Sequence, residues 1–152
     1  MWWRRVSANM TRRQFDAVAL EALLPHRYPF LLVDRIDVLE PARHVVGFKR
    51  LTSSEWWSES QPEIPLLLVL EALAQTSGAL VRELAGGTAG AIAYFMGADR
   101  VRFRHSARAG DDLRLDVRLT HWRRGLCKTH GIASVGDRTV VTAELTTIVR
   151  PG

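Results

Sequence analysis

The chain has 152 residues, 47% of them apolar and 24% charged, with a net charge of +5. Those values fit one globular domain with a single core and exclude both a disordered chain and a membrane-embedded one. The apolar run over residues 64–70 is far short of the roughly 20 residues that cross a bilayer, and the basic opening Met1-Trp2-Trp3-Arg4-Arg5 lacks the apolar stretch of a secretory signal. Residues 1–10 read as an N-terminal extension and 11–152 as the domain. Apolar positions Phe15, Val18, Ala19, Ala22 and Leu23 predict a helix over 11–24 that Pro25 ends. A strand follows over 30–39, a turn at Glu40-Pro41-Ala42-Arg43, and a return strand over 45–51.

Pro65 suits the first turn of a helix reaching about Leu84, with Gly86-Gly87 closing it. That helix is apolar nearly all round, which requires other structure to wrap it. The remainder predicts strands over 89–97, 100–105, 112–122, 126–135 and 139–149, separated by turns at Asp111-Asp112, Arg124-Gly125 and Gly136-Asp137. One buried helix with five or six antiparallel strands predicts an α+β architecture, the hotdog fold, in which a curved sheet wraps a central helix.

Cys127 is the sole cysteine, so no internal disulfide forms, which fits a reducing, cytoplasmic location. No His, Cys, Asp or Glu cluster has metal-ligand spacing, and Gly86-Gly87-Thr88 lacks the lysine and following helix of a phosphate-cradling loop. No metal and no cofactor are therefore expected. The basic surface suits an acidic partner, and nucleic acid is the weaker candidate because no recognised binding module accompanies the charge.

Three blocks carry a resemblance. Leu24-Pro25-His26-Arg27-Tyr28-Pro29-Phe30-Leu31-Leu32-Val33-Asp34-Arg35 is the longest, followed by Pro65 with Glu71-Ala72-Leu73-Ala74-Gln75, then Arg102-Phe103-Arg104 with Ala109-Gly110-Asp111-Asp112-Leu113. Together they resemble the bacterial 3-hydroxyacyl-acyl-carrier-protein dehydratases over roughly residues 20–150. The resemblance implies a hotdog dimer, at times a trimer of dimers, acting on phosphopantetheine-linked acyl groups in fatty acid or polyketide synthesis. Its active site lies at the dimer interface, with a histidine from one subunit and an acid on the other's helix.

Glu71 matches that acid, and Gln75, one turn later, matches the residue that hydrogen-bonds it. A carboxylate among leucines is costly and is a functional candidate on physical grounds alone. The departures are equally specific. The family's Gly-His-Phe-Pro loop is replaced by Glu55-Trp56-Trp57-Ser58-Glu59-Ser60-Gln61-Pro62-Glu63-Ile64-Pro65, a few residues shorter, and no histidine lies between His44 and His105. The family's Pro-Gly before the helix becomes Pro65-Leu66, so Pro65, Leu66 and Leu67 are the expected substrate-binding positions with a crowded approach to the helix N-terminus. His26, explained by the family block, reads as structural, and none of His44, His105, His121 or His130 is placed to replace the missing base.

In a strand, Arg100, Arg102 and Arg104 would share one face. The plain reading is a solvated edge; the functional one is docking of an acidic acyl carrier protein or its phosphate. Elimination of water needs both a base and an acid, each worth ~10²–10⁴-fold. Alone, this chain is expected to be a poor dehydratase. It would act as a degenerate subunit, homodimeric or paired in a heterodimer with a histidine-bearing paralogue, or assembled to a hexamer. The alternatives are an acyl thioesterase using Glu71 to activate water and a non-catalytic binding or scaffold subunit.

Overall fold

The computed structural model describes residues 13–86 and 91–150. The expected 1–10 extension and Gly87 lie outside the described residues. Within them a short strand β1 (Gln14–Phe15) leads into helix α1 (Ala17–Leu23), then β2 (Arg35–Glu40), β3 (His44–Arg50), the long helix α2 (Leu66–Leu84), β4 (Ile92–Phe103), β5 (Asp112–Arg123), β6 (Leu126–Val135) and β7 (Arg138–Arg150). The sheet has seven antiparallel strands in the order β1-β2-β3-β5-β6-β7-β4. Helix α2 packs across β3, β5, β6 and β7, which is the hotdog arrangement expected from the patterning.

Strand alternation fills the space under the helix. Leu113, Leu115 and Val117 of β5 and Val141, Ala143 and Leu145 of β7 are buried, and they meet Val69, Leu73 and Leu80 of α2 in one core. The helix sits close enough to the sheet that two strand positions carry no side chain. A Cβ on Gly47 would run into the Thr76 side chain, and one on Gly131 would come within 3.2 Å of Leu73. The helix's buried hydroxyls are satisfied: Thr76 donates to the Ala72 carbonyl at 2.9 Å, and Ser77 bonds Thr129 of β6 at 3.0 Å.

Four expectations need correction. Among the described residues the first helix begins at Ala17, because the Asp16 side chain caps it by accepting from the Ala19 N–H, while Gln14 and Phe15 pair with β2; positions 11 and 12 of the expected helix lie outside those residues. The strand expected from residue 30 begins at Arg35, because Phe30 and Leu31 turn back onto the Arg27 carbonyl and Gln75 of α2 takes the Phe30 carbonyl and Leu32 N–H, as described below. The strands expected over 89–97 and 100–105 are, among the described residues, one long strand β4 with irregularities between Phe95 and Gly97 and between Asp99 and Arg102, where Arg100 adopts φ +50°; positions 89 and 90 lie outside those residues. Finally, α2 is not wrapped on every side: Leu67 is 69% exposed, and Leu70, Glu71, Ala74, Gly78 and Arg82 continue a partly open stripe.

Cys127 is buried on β6, and loss of hydration pushes its thiol up to about 11 from an ordinary 9.0. The folded protein should leave Cys127 unreactive towards a disulfide reagent at pH 8, with full labelling only after unfolding. Since the folded state ionises this thiol last, its contribution to stability is complete below pH 9 and is lost as pH rises towards 11. Gly47→Ala should cost about 1–3 kcal/mol in urea unfolding, because Thr76 has no room to retreat from the added methyl.

Candidate acyl-binding site

The segment between α1 and β2 pairs part of its backbone, Phe30 and Leu31 N–H with the Arg27 carbonyl and Asp34 N–H with that of Phe48, but leaves the Phe30 carbonyl and Leu32 N–H without a backbone partner among the described residues. Gln75 repairs this from the buried face of α2. Its Oε1 accepts from the Leu32 N–H at 2.9 Å, and its Nε2 donates to the Phe30 carbonyl at 2.7 Å. The same Nε2 also donates to Glu71 Oε1 at 2.9 Å, one turn back along the helix. One amide thus joins the loop to the helix and orients the acid. Arg27 closes the loop from within, donating through Nη1 to the Leu24 and His26 carbonyls at 2.9 and 2.7 Å.

That closure brings His26 to the acid. His26 Nε2 lies 3.3 Å from Glu71 Oε1, with the two side chains 34% and 41% exposed. Both Gln75 and His26 therefore address the same carboxylate oxygen. In the sequence His26 belongs to the family block and is tied to Glu71 only in that both lie in blocks of the same resemblance. The His26 Nδ1 atom is buried and finds no partner among the described residues.

Glu71, Gln75 and His26 lie in one cavity of about 590 Å³. Its walls are mostly apolar: Leu23, Leu24 and Pro25 on one side, Ala74 and Gly78 of the helix below, and Ile92, Ala93 and Phe95 of β4 opposite. Arg82 and Glu21 stand among the remaining lining residues. An acid held at one end of an apolar trough can bind an acyl chain and exchange a proton with it.

The other expected site residues fall elsewhere. Pro65 caps α2 and Leu66 begins it, but neither they nor Leu67 line the cavity; they lie a turn nearer the helix N-terminus, with Leu67 facing out. The 55–65 loop also contributes nothing to the cavity. It folds on itself around buried Trp57, with Trp56 edge-on to Trp57 and near Phe30, and Ile64 bonded to the Ala107 carbonyl. The three arginines do not form one regular row: the irregularity after Asp99 interrupts the alternation, and Arg100 pairs with Glu144 at 2.7 Å. Arg102 and Arg104 make no ion pair among the described residues and remain exposed. Among those residues no group of ligands could hold a metal ion.

Residues 24–144 match the family model of the FabA-like domain. The 3-hydroxyacyl-[acyl-carrier-protein] dehydratase FabZ of Roseiflexus castenholzii is 45% identical over 128 residues, 82% of this chain and 89% of the relative. The enzyme of the same name from Caulobacter vibrioides is 38% identical over 139 residues, 88% and 87% of the two chains. Among solved structures, the dehydratase heterocomplex ApeI:P from Xenorhabdus doucetiae superposes with a TM-score of 0.72 at 20% identity, covering 88% of this chain and 91% of that one. A hypothetical thioesterase with coenzyme A from Streptococcus pneumoniae gives 0.61 at 17% identity, covering 76% and 86%. At such identities these two likenesses establish the shared fold.

Gln75→Leu should destabilise the protein by roughly 2–4 kcal/mol in urea unfolding, because it leaves the Leu32 N–H and the Phe30 carbonyl without partners. Glu71→Gln, at a half-exposed position, should shift the midpoint little.

Proposed function

Because the chain belongs to the FabA-like dehydratase family, we propose that it binds 3-hydroxyacyl groups carried on acyl carrier protein and supplies Glu71 to their dehydration, in concert with a histidine-bearing relative. The observation that carries this reading is Glu71 itself, held by Gln75 at one end of an apolar cavity. Fatty acid or polyketide synthesis is the setting that suits such a substrate, and the cytoplasm its location; no helix among the described residues is long and apolar enough to cross a membrane.

The chemistry divides between two groups. A base removes the proton α to the thioester carbonyl; the C–O bond at the β carbon then breaks, and the departing hydroxyl takes a proton from the Glu71 carboxyl to leave as water. The products are a 2,3-unsaturated thioester and water, with the base protonated and Glu71 ionised. Return of that proton to Glu71 resets the site. Gln75 and His26 act on one carboxylate oxygen, which leaves the other to face the substrate. His26 is thereby a positioning residue.

The base is what this chain lacks in its 55–65 loop. A partner subunit is supported by two open surfaces beside the cavity. Strand β4 is an edge of the sheet and exposes Ile92, Tyr94, Phe95, Met96 and Phe103, and the α2 stripe at Leu67 is bare. An uncovered apolar edge of this kind invites pairing with a second chain. A homodimer through it would unite two acids and no loop histidine; a mixed dimer would complete one site. Dehydratases do assemble as heterocomplexes, as ApeI:P does. Arg102 and Arg104, exposed near the same edge, are suited to an acidic carrier protein.

Co-expression with a histidine-bearing relative whose own acid has been removed leaves Glu71 as the sole acid facing an intact histidine. The mixed complex should dehydrate 3-hydroxyacyl thioesters, and Glu71→Gln in this chain should lower the rate by about 10²-fold or more. His26→Ala should lower kcat by more than it changes KM, since the imidazole's one polar contact among the described residues is with the acid while the apolar walls of the cavity stay in place. Failure of the chains to associate, or a rate indifferent to Glu71, overturns the proposal; release of free thiol without unsaturated product points to thioester hydrolysis.

A further inference from the structure

The cavity that holds Glu71 ends in a second charge, one that no step of the dehydration uses. Arg82 lies on α2 eleven residues beyond Glu71, a separation of about 16 Å along the axis that returns to nearly the same helix face. Between them the lining of the trough comes from Ala74, Gln75 and Gly78, where Leu24 packs so close that a Cβ would lie 3.1 Å from it. Leu24, Ile92 and Phe95 make the trough's sides apolar over the same interval. An acyl chain with its β carbon at Glu71 and its tail along the helix would run towards Arg82.

Each of the other charged groups lining this cavity has a separate occupation or faces water. Arg27 is tied to two backbone carbonyls, His26 and Gln75 flank Glu71, and Glu21 is an exposed residue of α1. Arg82 is partly buried and makes no ion pair or hydrogen bond among the described residues, although its neighbour Glu83 is paired with Arg13 at 2.8 Å. Its place in the last turn of α2 accounts for a cation being tolerated there, through the helix dipole. A half-buried guanidinium without an ion pair keeps its paired N–H groups free for an anion.

We propose that Arg82 is a specificity-determining residue, and that the site favours acyl thioesters whose distal end carries an anionic group over those ending in a methyl. The inference rests on the reading of this cavity as the acyl site. A methyl terminus would strip water from the guanidinium and return nothing. A carboxylate would accept its paired N–H groups in the fork geometry that arginine offers and lysine does not.

The test uses two 3-hydroxyacyl pantetheine thioesters of equal length, one ending in a carboxylate and one in a methyl, titrated into the full chain and into the mixed complex. The wild-type protein should bind the carboxylate-ended thioester about tenfold or more tightly. Arg82→Met should abolish or reverse that preference, and Arg82→Lys should retain only part of it. Ala74→Phe, which fills the trough between Glu71 and Arg82 from the partly open face of α2, should weaken both probes. An unchanged preference in Arg82→Met overturns the role of Arg82 while the acyl site stands, provided that Ala74→Phe still weakens binding. Failure of both probes to bind, or indifference to Ala74→Phe, overturns the acyl-site reading and this inference with it. Retention of the wild-type melting temperature in each variant separates these outcomes from misfolding.

Discussion

The side-chain amide of Gln75 serves three partners at once, and the geometry around the cavity follows from it. Its oxygen must face the Leu32 N–H and its nitrogen the Phe30 carbonyl, so the orientation of the amide is fixed by the loop. The remaining N–H of the amide then points back along α2 at Glu71. A residue whose first duty is to satisfy a buried, irregular loop thereby also places the carboxylate. Interaction networks of this kind are expensive to break at any point, because each lost partner strands the others in a region with little water. The bond between loop and helix, with the turn onto the Arg27 carbonyl, keeps residues 30–33 out of the sheet and brings His26 beside the acid.

The half of the site that this chain builds is well defined, and the half it lacks is equally so. Everything that holds Glu71 comes from the helix and from the 24–34 loop, both within one subunit. The loop that precedes α2 is drawn into a compact knot around Trp57 and keeps away from the cavity. What opens towards solvent is instead apolar: the β4 edge, two of whose exposed residues, Ile92 and Phe95, also line the trough, and Leu67 at the start of α2. A monomer pays for such a surface in solubility, whereas an assembly uses it. The chemistry that a second chain would bring, a base, is the chemistry missing here.

Much of this was legible in the residues themselves. The alternation in β5, β6 and β7 and the apolar run of α2 are local signals, and they marked the sheet and helix to within a residue or two. Glu71 and Gln75 stood out because a charged and an amide side chain interrupt an apolar helix one turn apart. The errors came where distant partners overrule local pattern. The leucine-rich stretch after Phe30 reads as strand, but Gln75, forty-odd positions away, takes its backbone bonds. The Arg100, Arg102 and Arg104 alternation reads as one face, but the strand irregularity at Arg100 breaks it.

The proximity of His26 to Glu71 and the run from Glu71 to Arg82 mark the division most clearly. Helical periodicity alone puts Glu71, Gly78 and Arg82 on one side of α2, so that alignment was present in the order of the residues. Whether the side faces a core, a solvent or a cavity depends on what packs over it, and only the positions of α1 and β4 decide that. His26 lies too far along the chain from Glu71 for any periodic rule to relate them; the loop that carries it is placed by Gln75 and Arg27, bonds that exist only once the helix, the loop and the sheet have come together.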